Sequence, residues 1–265
     1  MPKNSLKLSL IIPVFNEELY LKRCLDSIAA QTDMPDEVIV VDNNCTDKSM
    51  EIAGKYPFLT VIHEPRQHQS FAQAAGFNKA KGEILGRIDG DSILPPDWVA
   101  KMKQAFVSSP GLVAITGGAD PYDVPMKSMG SAIFHGYIYI AGLIAGHRLL
   151  WGANCAITND GWQKIKDSVL LRPDIWEDYD MAFCLDQYGK VGYLAGNKVG
   201  VSFRAMHTTF AKHVSYQLRS VRTFYLRANI LRVSLFCVLW TSIFLVYPLA
   251  AFDDWLLKRR TDSNS

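Results

Sequence analysis

Four short runs rich in apolar residues, each followed by a segment of helical period, restrict what the amino-terminal part of this chain can become. The runs cover residues 8–14, 37–42, 59–63 and 83–89. Runs of this length without polar alternation read as strands buried on both faces. Between the first two, Leu21, Cys24, Leu25 and Ile28 recur at the spacing of one helical stripe. Asn16 is the expected N-cap of that helix, with Glu17 and Glu18 in its first turn. Thr46 or Asp47 can cap a second helix reaching about Lys55, and residues 71–81 read as a third. The alternation predicts an α/β fold, a mostly parallel central sheet with helices on both faces. Ligands of such a sheet bind beyond the carboxyl ends of its strands, where Phe15, Asp42 and Asp91 fall.

The fourth run closes on Asp89-Gly90-Asp91, and the prolines at 95 and 96 keep a strand from continuing. Side chains at i and i+2 of a strand point the same way, roughly 6.6 Å apart at about 3.3 Å per residue. Two such carboxylates can share a hard cation, Mg²⁺ or Mn²⁺, that is also bound by a substrate phosphate. A solvated turn is the competing reading, because Asp-Gly-Asp is also good turn chemistry. No Gly-X-Gly-X-X-Gly follows the first strand and no Gly-X-X-X-X-Gly-Lys-Ser/Thr occurs, which disfavours dinucleotide dehydrogenases and P-loop phosphotransferases. A diphosphate here is expected on a metal, which would also assist its departure.

At 265 residues and 49% hydrophobic content the chain can bury the core of one large α/β domain or two small ones. A net charge of +2 gives no field that would argue for nucleic acid. Cys24, Cys45, Cys155, Cys184 and Cys237 are scattered and odd in number, which favours reduced thiols over zinc or disulfides and points to a cytosolic face. The amino terminus enters a strand of about six apolar residues, too short for a secretory signal.

Four stretches in order are more specific. They are Ile11-Ile12-Pro13-Val14-Phe15-Asn16-Glu17-Glu18, Val40-Val41-Asp42-Asn43-Asn44-Cys45-Thr46-Asp47, Ala80-Lys81-Gly82-Glu83, and Asp89-Gly90-Asp91 with Pro95-Pro96-Asp97-Trp98. From about residue 8 to 110 the chain resembles the GT-A fold glycosyltransferases of family 2. The resemblance implies a GT-A (Rossmann-like) domain over residues 1–210, its donor-binding half ending near 118 and its acceptor half following. It implies that Pro13, Phe15 and Glu17 of the first loop and Asp42 hold the donor nucleoside, that Asp89 lies by the ribose, and that Asp91 coordinates the metal. Read without the family, Asp42 is equally a turn residue leading into a helix. Two positions depart from the pattern. Cys45 stands where serine is usual, and Ala72-Gln73-Ala74 stands where an arginine often approaches the diphosphate. Arg66 or Arg87 is the expected replacement, each equally readable as a solvated side chain.

Residues 111–117 read as a fifth strand and residues 126–148 as an apolar helix packed on the sheet. Its 17 uncharged residues from Gly130 to Gly146 fall short of the about 20 that a membrane span needs. His135 and His147 are expected as polar tips on it. Residues 151–157 read as a strand whose Gly152-Ala153-Asn154 is similar to the family's acceptor-side stretch. Trp176-Glu177-Asp178-Tyr179-Asp180 is similar to its Glu-Asp motif at a helix start, with Met181, Cys184 and Leu185 buried behind it. An acidic helix start is by itself a dipole device. The resemblance makes Asp178 the general base for the acceptor hydroxyl, with Gly152, Asn154 and Glu177 on the acceptor side. Strands over 191–195 and 198–203 lead to His207, which the resemblance makes a metal ligand, with His213 its rival.

Residues 211–233 place Val214, Leu218, Val221 and Tyr225 at helical spacing with four arginines among the polar positions, a basic amphipathic helix. Residues 234–252 then run for 19 residues without a charge, long enough at about 1.5 Å per residue for one crossing. A transmembrane or interfacial segment is expected there, ahead of a tail at 253–265. The excess of basic residues before it puts the catalytic domain in the cytoplasm. The expected activity is metal-dependent, inverting transfer of a sugar from a nucleotide-diphosphate donor, UDP-linked, to a lipid-linked or glycan acceptor at the membrane. The alternative is a catalytically inactive module that binds a nucleotide-sugar or scaffolds a membrane glycan-assembly system. A nucleotidyltransferase would need a basic Gly-rich loop near the amino terminus, and none is present.

Overall fold

The computed structural model describes residues 6–123, 127–204 and 209–241. Within them the four apolar runs form β1 (Leu8–Val14), β2 (Glu37–Asp42), β3 (Leu59–His63) and β4 (Ile84–Arg87). They alternate with α1 (Leu21–Ala29), α2 (Ser49–Ala53) and α3 (Gln69–Lys79). After β4 come α4 (Trp98–Ser108), β5 (Leu112–Pro121), α5 (Lys127–Ala145), β6 (Cys155–Thr158) and α6 (Asn159–Ile165). The series ends with α7 (Glu177–Leu185), β7 (Lys190–Val201), α8 (Phe210–Arg227) and α9 (Ile230–Thr241). The described strands make one sheet in the order β3-β2-β1-β4-β6-β5-β7. All neighbours are parallel except β6, which runs antiparallel to both β4 and β5.

Successive residues of a strand face opposite sides, so a strand covered on both sides must be apolar throughout. In β1, Leu10 and Ile12 join the core under α1 and α4, while Ile11 joins the core that α3, α6 and α7 share. Gly76 lets α3 sit close, since a Cβ there would lie 2.4 Å from the Ile11 side chain.

Several local expectations are corrected. Asn16 takes a left-handed conformation, φ 54°, and α1 begins only at Leu21. Its side-chain Oδ1 accepts the Thr46 N–H at 2.8 Å, joining two loops instead of capping a helix. β4 stops at Arg87, so Asp89 and Asp91 lie in a turn and not on a strand. That turn is closed by the Ser92 N–H on the Asp89 carbonyl (3.0 Å) and by the Asp89 N–H on Ser92 Oγ (3.2 Å). Gly152–Asn154 form a single 3₁₀ turn, and the strand expected over 151–157 begins only at Cys155. The two strands expected after residue 190 are one, β7, with an irregularity where Gly117 and Gly118 pair with Leu194 and Lys198.

The basic helix also differs. It breaks after Arg227, and α8 buries His213, Ser220, Thr223 and Phe224, whereas Leu218 and Tyr225 of the expected stripe are exposed. Polar contacts with α7 select that face. Thr223 Oγ1 accepts the Trp176 N–H at 3.0 Å, and Arg227 pairs with buried Asp180 at 2.6 Å. No helix among the described residues is long and apolar enough to cross a membrane. Of the expected apolar segment, residues 234–241 belong to α9, and 242–252, like the tail, lie outside the described residues.

Candidate active site

The carboxyl ends of β1, β2 and β4 bring their loops together. Asp42, paired in register with Val14, accepts the Cys45 N–H at 2.9 Å and meets His63 Nδ1 at 3.2 Å. Burial works to raise its pKa, but these bonds, the Cys45 thiol included, outweigh it and hold the carboxyl below its usual value. Cys45 Sγ contacts the Val14 carbonyl and the Asn16 N–H, both at 3.4 Å, so the thiol makes local bonds of the kind a serine hydroxyl would make. Pro13 lies on β1, and Phe15 just beyond it is 49% exposed, an aromatic face left open beside Asp42. Arg66 is exposed at its tip, but Glu64 already holds its guanidinium through two bonds of 2.8 Å, and the group lies 4.6 Å from the Phe71 ring.

Arg87, by contrast, is 1% exposed. Its guanidinium donates to Gln73 Oε1 (2.5 Å) and to Asp89 Oδ1 (3.1 Å), and Nη1 lies 3.0 Å from Glu177 Oε1. Asp89 Oδ1 also accepts from Gln69 Nε2 at 2.9 Å. Burial opposes the charge on Arg87, but Asp89 and Glu177 more than offset it and raise its pKa. Gln73, in the place where an arginine is usual, therefore serves this buried cation. Gly152 lies against the same group, since a Cβ there would be 2.2 Å from Nη1.

Asp178 completes this side. Its Oδ2 accepts the Gly152 N–H at 3.0 Å and its Oδ1 the Tyr179 N–H at 2.8 Å. Burial, then the neighbouring Glu177 charge, push its carboxyl up to about 7 against the pull of Arg87 and the two N–H groups. Asn154, fully buried, donates to the carbonyls of Gly118 (2.9 Å) and Asn197 (2.7 Å) and accepts from Trp98 Nε1 (2.8 Å). Its side chain staples the sheet beneath the Gly152 turn.

Asp91 and Glu17 converge on one cation. Arg204 Nη2 lies 2.5 Å from Glu17 Oε1 and 3.3 Å from Asp91 Oδ2, with its guanidinium 4.3 Å from the Tyr20 ring. The second oxygen of Glu17 is buried without a hydrogen-bond partner. Burial and the Asp89 charge push Asp91 up to about 7, Arg204 opposing them. His207 lies outside the described residues, and His213 is buried on α8. Sequence reasoning missed Arg204, Gln69 and Gln73 as members of the site. The side chain at 204 meets the carboxylates at 17 and 91 only after the whole sheet is assembled, and no local spacing announces it.

Against this geometry, the sequence profile described as Glycosyl transferase family 2 matches residues 9–139. Residues 9–139 of the chain belong to glycosyl transferase family 2. Chondroitin synthase of Pasteurella multocida (strain Pm70) is 28% identical to it over 204 residues, 72% of this chain and 20% of that one. The putative glycosyltransferase EpsH of Bacillus subtilis (strain 168) is 32% identical over 133 residues, 49% of this chain and 38% of its own. The chain thus spans only a fifth to two fifths of these relatives. In fold it is similar to the mannosyltransferase PcManGT from Pyrobaculum calidifontis, solved in complex with GDP-Man and Mn²⁺. The TM-score is 0.67 at 19% identity, over 94% of this chain and 73% of that one. It is similar also to S. aureus TarS 1–349 in complex with UDP-GlcNAc, TM-score 0.60 at 18% identity, over 84% and 68% of the two chains. The likeness fixes the architecture as GT-A-like, with a mostly parallel central sheet.

Proposed function

We propose that this chain transfers a sugar from a nucleotide-diphosphate donor to an acceptor hydroxyl, with inversion and with help from a divalent cation. The observation that carries the reading is the Arg87 tie, which joins Asp89, beside the donor-side loops, to Glu177, next to Asp178. The nucleoside would lie against Phe15 and Asp42, with Pro13 shaping the loop and Asp89 toward the ribose. The acceptor would enter past the Gly152 turn. Asp178 takes the proton of its hydroxyl while that oxygen bonds to the anomeric carbon. The bond from this carbon to the diphosphate breaks on the opposite face, and the nucleoside diphosphate departs with the electron pair. A base with its pKa near the working pH suits that task.

Among the described residues no group of three or more His, Cys, Asp and Glu side chains is gathered to hold a metal. A Mg²⁺ or Mn²⁺ shared with a diphosphate needs only one or two carboxylates, because phosphate and water oxygens fill the remaining places. Asp91 and Glu17, already sharing a cationic group and with one Glu17 oxygen unpartnered, fit that requirement, with His207 a further ligand in this reading. Bound there, the ion supplies neutralisation of the charge that develops on the leaving diphosphate. The complexes of PcManGT with GDP-Man and Mn²⁺ and of TarS with UDP-GlcNAc support the donor class without choosing the base.

The reading includes attachment to the cytoplasmic face of the cell membrane and a lipid-linked or glycan acceptor. Its support is an apolar outer surface on α8 and α9, where Tyr225, Ile230, Leu231 and Val238 are 66–77% exposed, and five free thiols. The test is a panel of UDP- and GDP-sugars with Mn²⁺, read by melting temperature and by donor turnover. A bound donor raises the melting point. Full transfer by an Asp178→Asn variant would overturn the mechanism.

A further inference from the structure

A cavity of about 190 Å³ lies between α5, β5, β7 and the segment leading into Gly152. Its walls are Phe134, Ile138 and Tyr139 of α5, with Trp151 and Tyr193, and Arg148 stands at its edge. We propose that this cavity is a binding site for the apolar segment of an anionic amphiphile, an isoprenoid or alkyl chain ending in a phosphate. That the ligand is the acceptor rests on the transfer reading above, whereas the binding itself does not.

Three observations converge. First, the inward polar side chains of the lining, His135 and Thr116, are already engaged, and the Tyr139, Tyr193 and Arg148 polar groups belong to exposed residues. His135 Nε2 accepts the Ala119 N–H at 3.0 Å and its Nδ1 lies 2.6 Å from the Ser131 carbonyl. Thr116 Oγ1 accepts the Trp151 N–H and donates to the Asn154 carbonyl, both at 3.1 Å. A sugar ring, which needs a partner for each hydroxyl it buries, is poorly served by such walls. An apolar chain is well served, and cavities of about 150 Å³ with apolar walls hold a benzene-sized group.

Second, Arg148 is a cation without a carboxylate among the described residues. Its guanidinium is 5.1 Å from the Tyr139 ring centroid and 5.5 Å from that of Tyr193. Flanking rings hold a guanidinium in place without neutralising it, which leaves its fork of donors for a phosphate. Third, the cavity adjoins the site. Trp151 precedes Gly152, whose N–H meets Asp178, and Thr116 stands level with Cys155, itself level with Arg87. On the outside, Tyr139, Ile140 and Leu143 of α5 are 45–64% exposed, so an amphiphile can approach along an apolar surface.

The experiment is calorimetric titration of the full chain with decyl phosphate below its micelle concentration, beside decanol and inorganic phosphate. The expected result is one decyl phosphate per chain, decanol at least tenfold weaker, and inorganic phosphate without measurable binding. Arg148→Gln should lower decyl phosphate affinity about tenfold while leaving decanol unchanged. Ile138→Trp, which fills the cavity, should abolish both. Equal binding by the parent chain and both variants, or inorganic phosphate binding as tightly as decyl phosphate, would overturn the proposal. Sugar transfer with no amphiphile bound would sink this site and spare the transfer reading. Amphiphile binding in a chain that transfers to no acceptor would uphold the site and sink the transfer reading.

Discussion

Replacing Arg87 by methionine tests the tie on which the proposed site depends. The side chain is 2% exposed and faces Asp89 and Glu177, whose side chains are 34% and 15% exposed. Removing one member of a buried ion pair leaves its partner charged and uncompensated, typically about 3–5 kcal/mol. The Asp89 arm contributes little because water reaches that carboxylate, so the Glu177 arm sets the loss near the lower end, about 3 kcal/mol. For a chain of this size that corresponds to a fall in melting temperature of roughly 6–12 °C. The loss must also depend on pH. Asp178 has a folded pKa of about 7, above the roughly 3.9 of an unfolded aspartate. A carboxyl raised in this way adds stability at low pH that is lost as pH rises through the folded value. Without Arg87 that value climbs further, so the variant should suffer more at pH 8.5 than at pH 5.5. Urea unfolding of both chains at the two pH values measures this, with Arg87→Lys recovering part of the loss because one ammonium cannot reach Gln73, Asp89 and Glu177 together. An Arg87→Met chain as stable as the parent at pH 8.5, or equally weakened at both pH values, would refute the reasoning.

Three further outcomes are expected. Turnover should rise with pH through a limb near 7 as Asp178 ionises, and Asp178→Asn should remove the limb and lower kcat by about 10²–10⁴-fold with an unchanged circular dichroism spectrum. Asp91→Ala should abolish Mn²⁺-stimulated donor turnover, and a chelator should do the same to the parent chain; full turnover in the variant with metal chelated would exclude the metal role. Gly152→Ala should destabilise by about 1–3 kcal/mol in thermal melts, since the added Cβ would sit 2.2 Å from Arg87 Nη1 in a packed interior.

The parallel half of the sheet was legible because burial on both faces forces continuous apolar runs. Leu8–Val14 and Glu37–Asp42 carry that constraint in their own composition, whereas Leu59–His63, at the edge of the sheet, leaves Thr60, Val61 and His63 exposed. Turns were less legible, because their hydrogen bonds join residues far apart in the chain. Asn16 looks like a cap until its side-chain Oδ1 is seen on the Thr46 N–H. Asp89 and Asp91 look like two residues of a strand until Ser92 closes the turn between them. The α8 stripe failed for a related reason. Its buried face is chosen by Thr223 and Arg227 meeting α7, and apolar spacing alone favours Leu218 and Tyr225, which lie outside. For the site, Asp42, Asp89, Asp91 and Asp178 announced themselves as acidic residues at element ends, whereas of the cations facing them Arg87 was expected only as an alternative to Arg66 and Arg204 was not expected at all.

The one reversed strand explains how two halves of the chain meet at a single guanidinium. β1, β2 and β4 are parallel, so their carboxyl ends and the loops that follow gather on one edge of the sheet. β6 runs the other way, and it is therefore its amino end that reaches the same edge, with Cys155 level with Arg87 on one neighbour and with Thr116 on the other. The turn entering β6 then falls beside the end of β4, and Gly152, lacking a Cβ, admits the buried guanidinium while its N–H holds Asp178. Had β6 been inserted parallel, Thr158 and the start of α6 would stand at that edge and the Gly152 turn at the opposite one. Arg87 would then lose the Gly152 turn that packs against its guanidinium, and Asp178 would lose the N–H that this turn supplies. Strand direction, more than any single motif, brings the two sets of carboxylates within reach of one arginine.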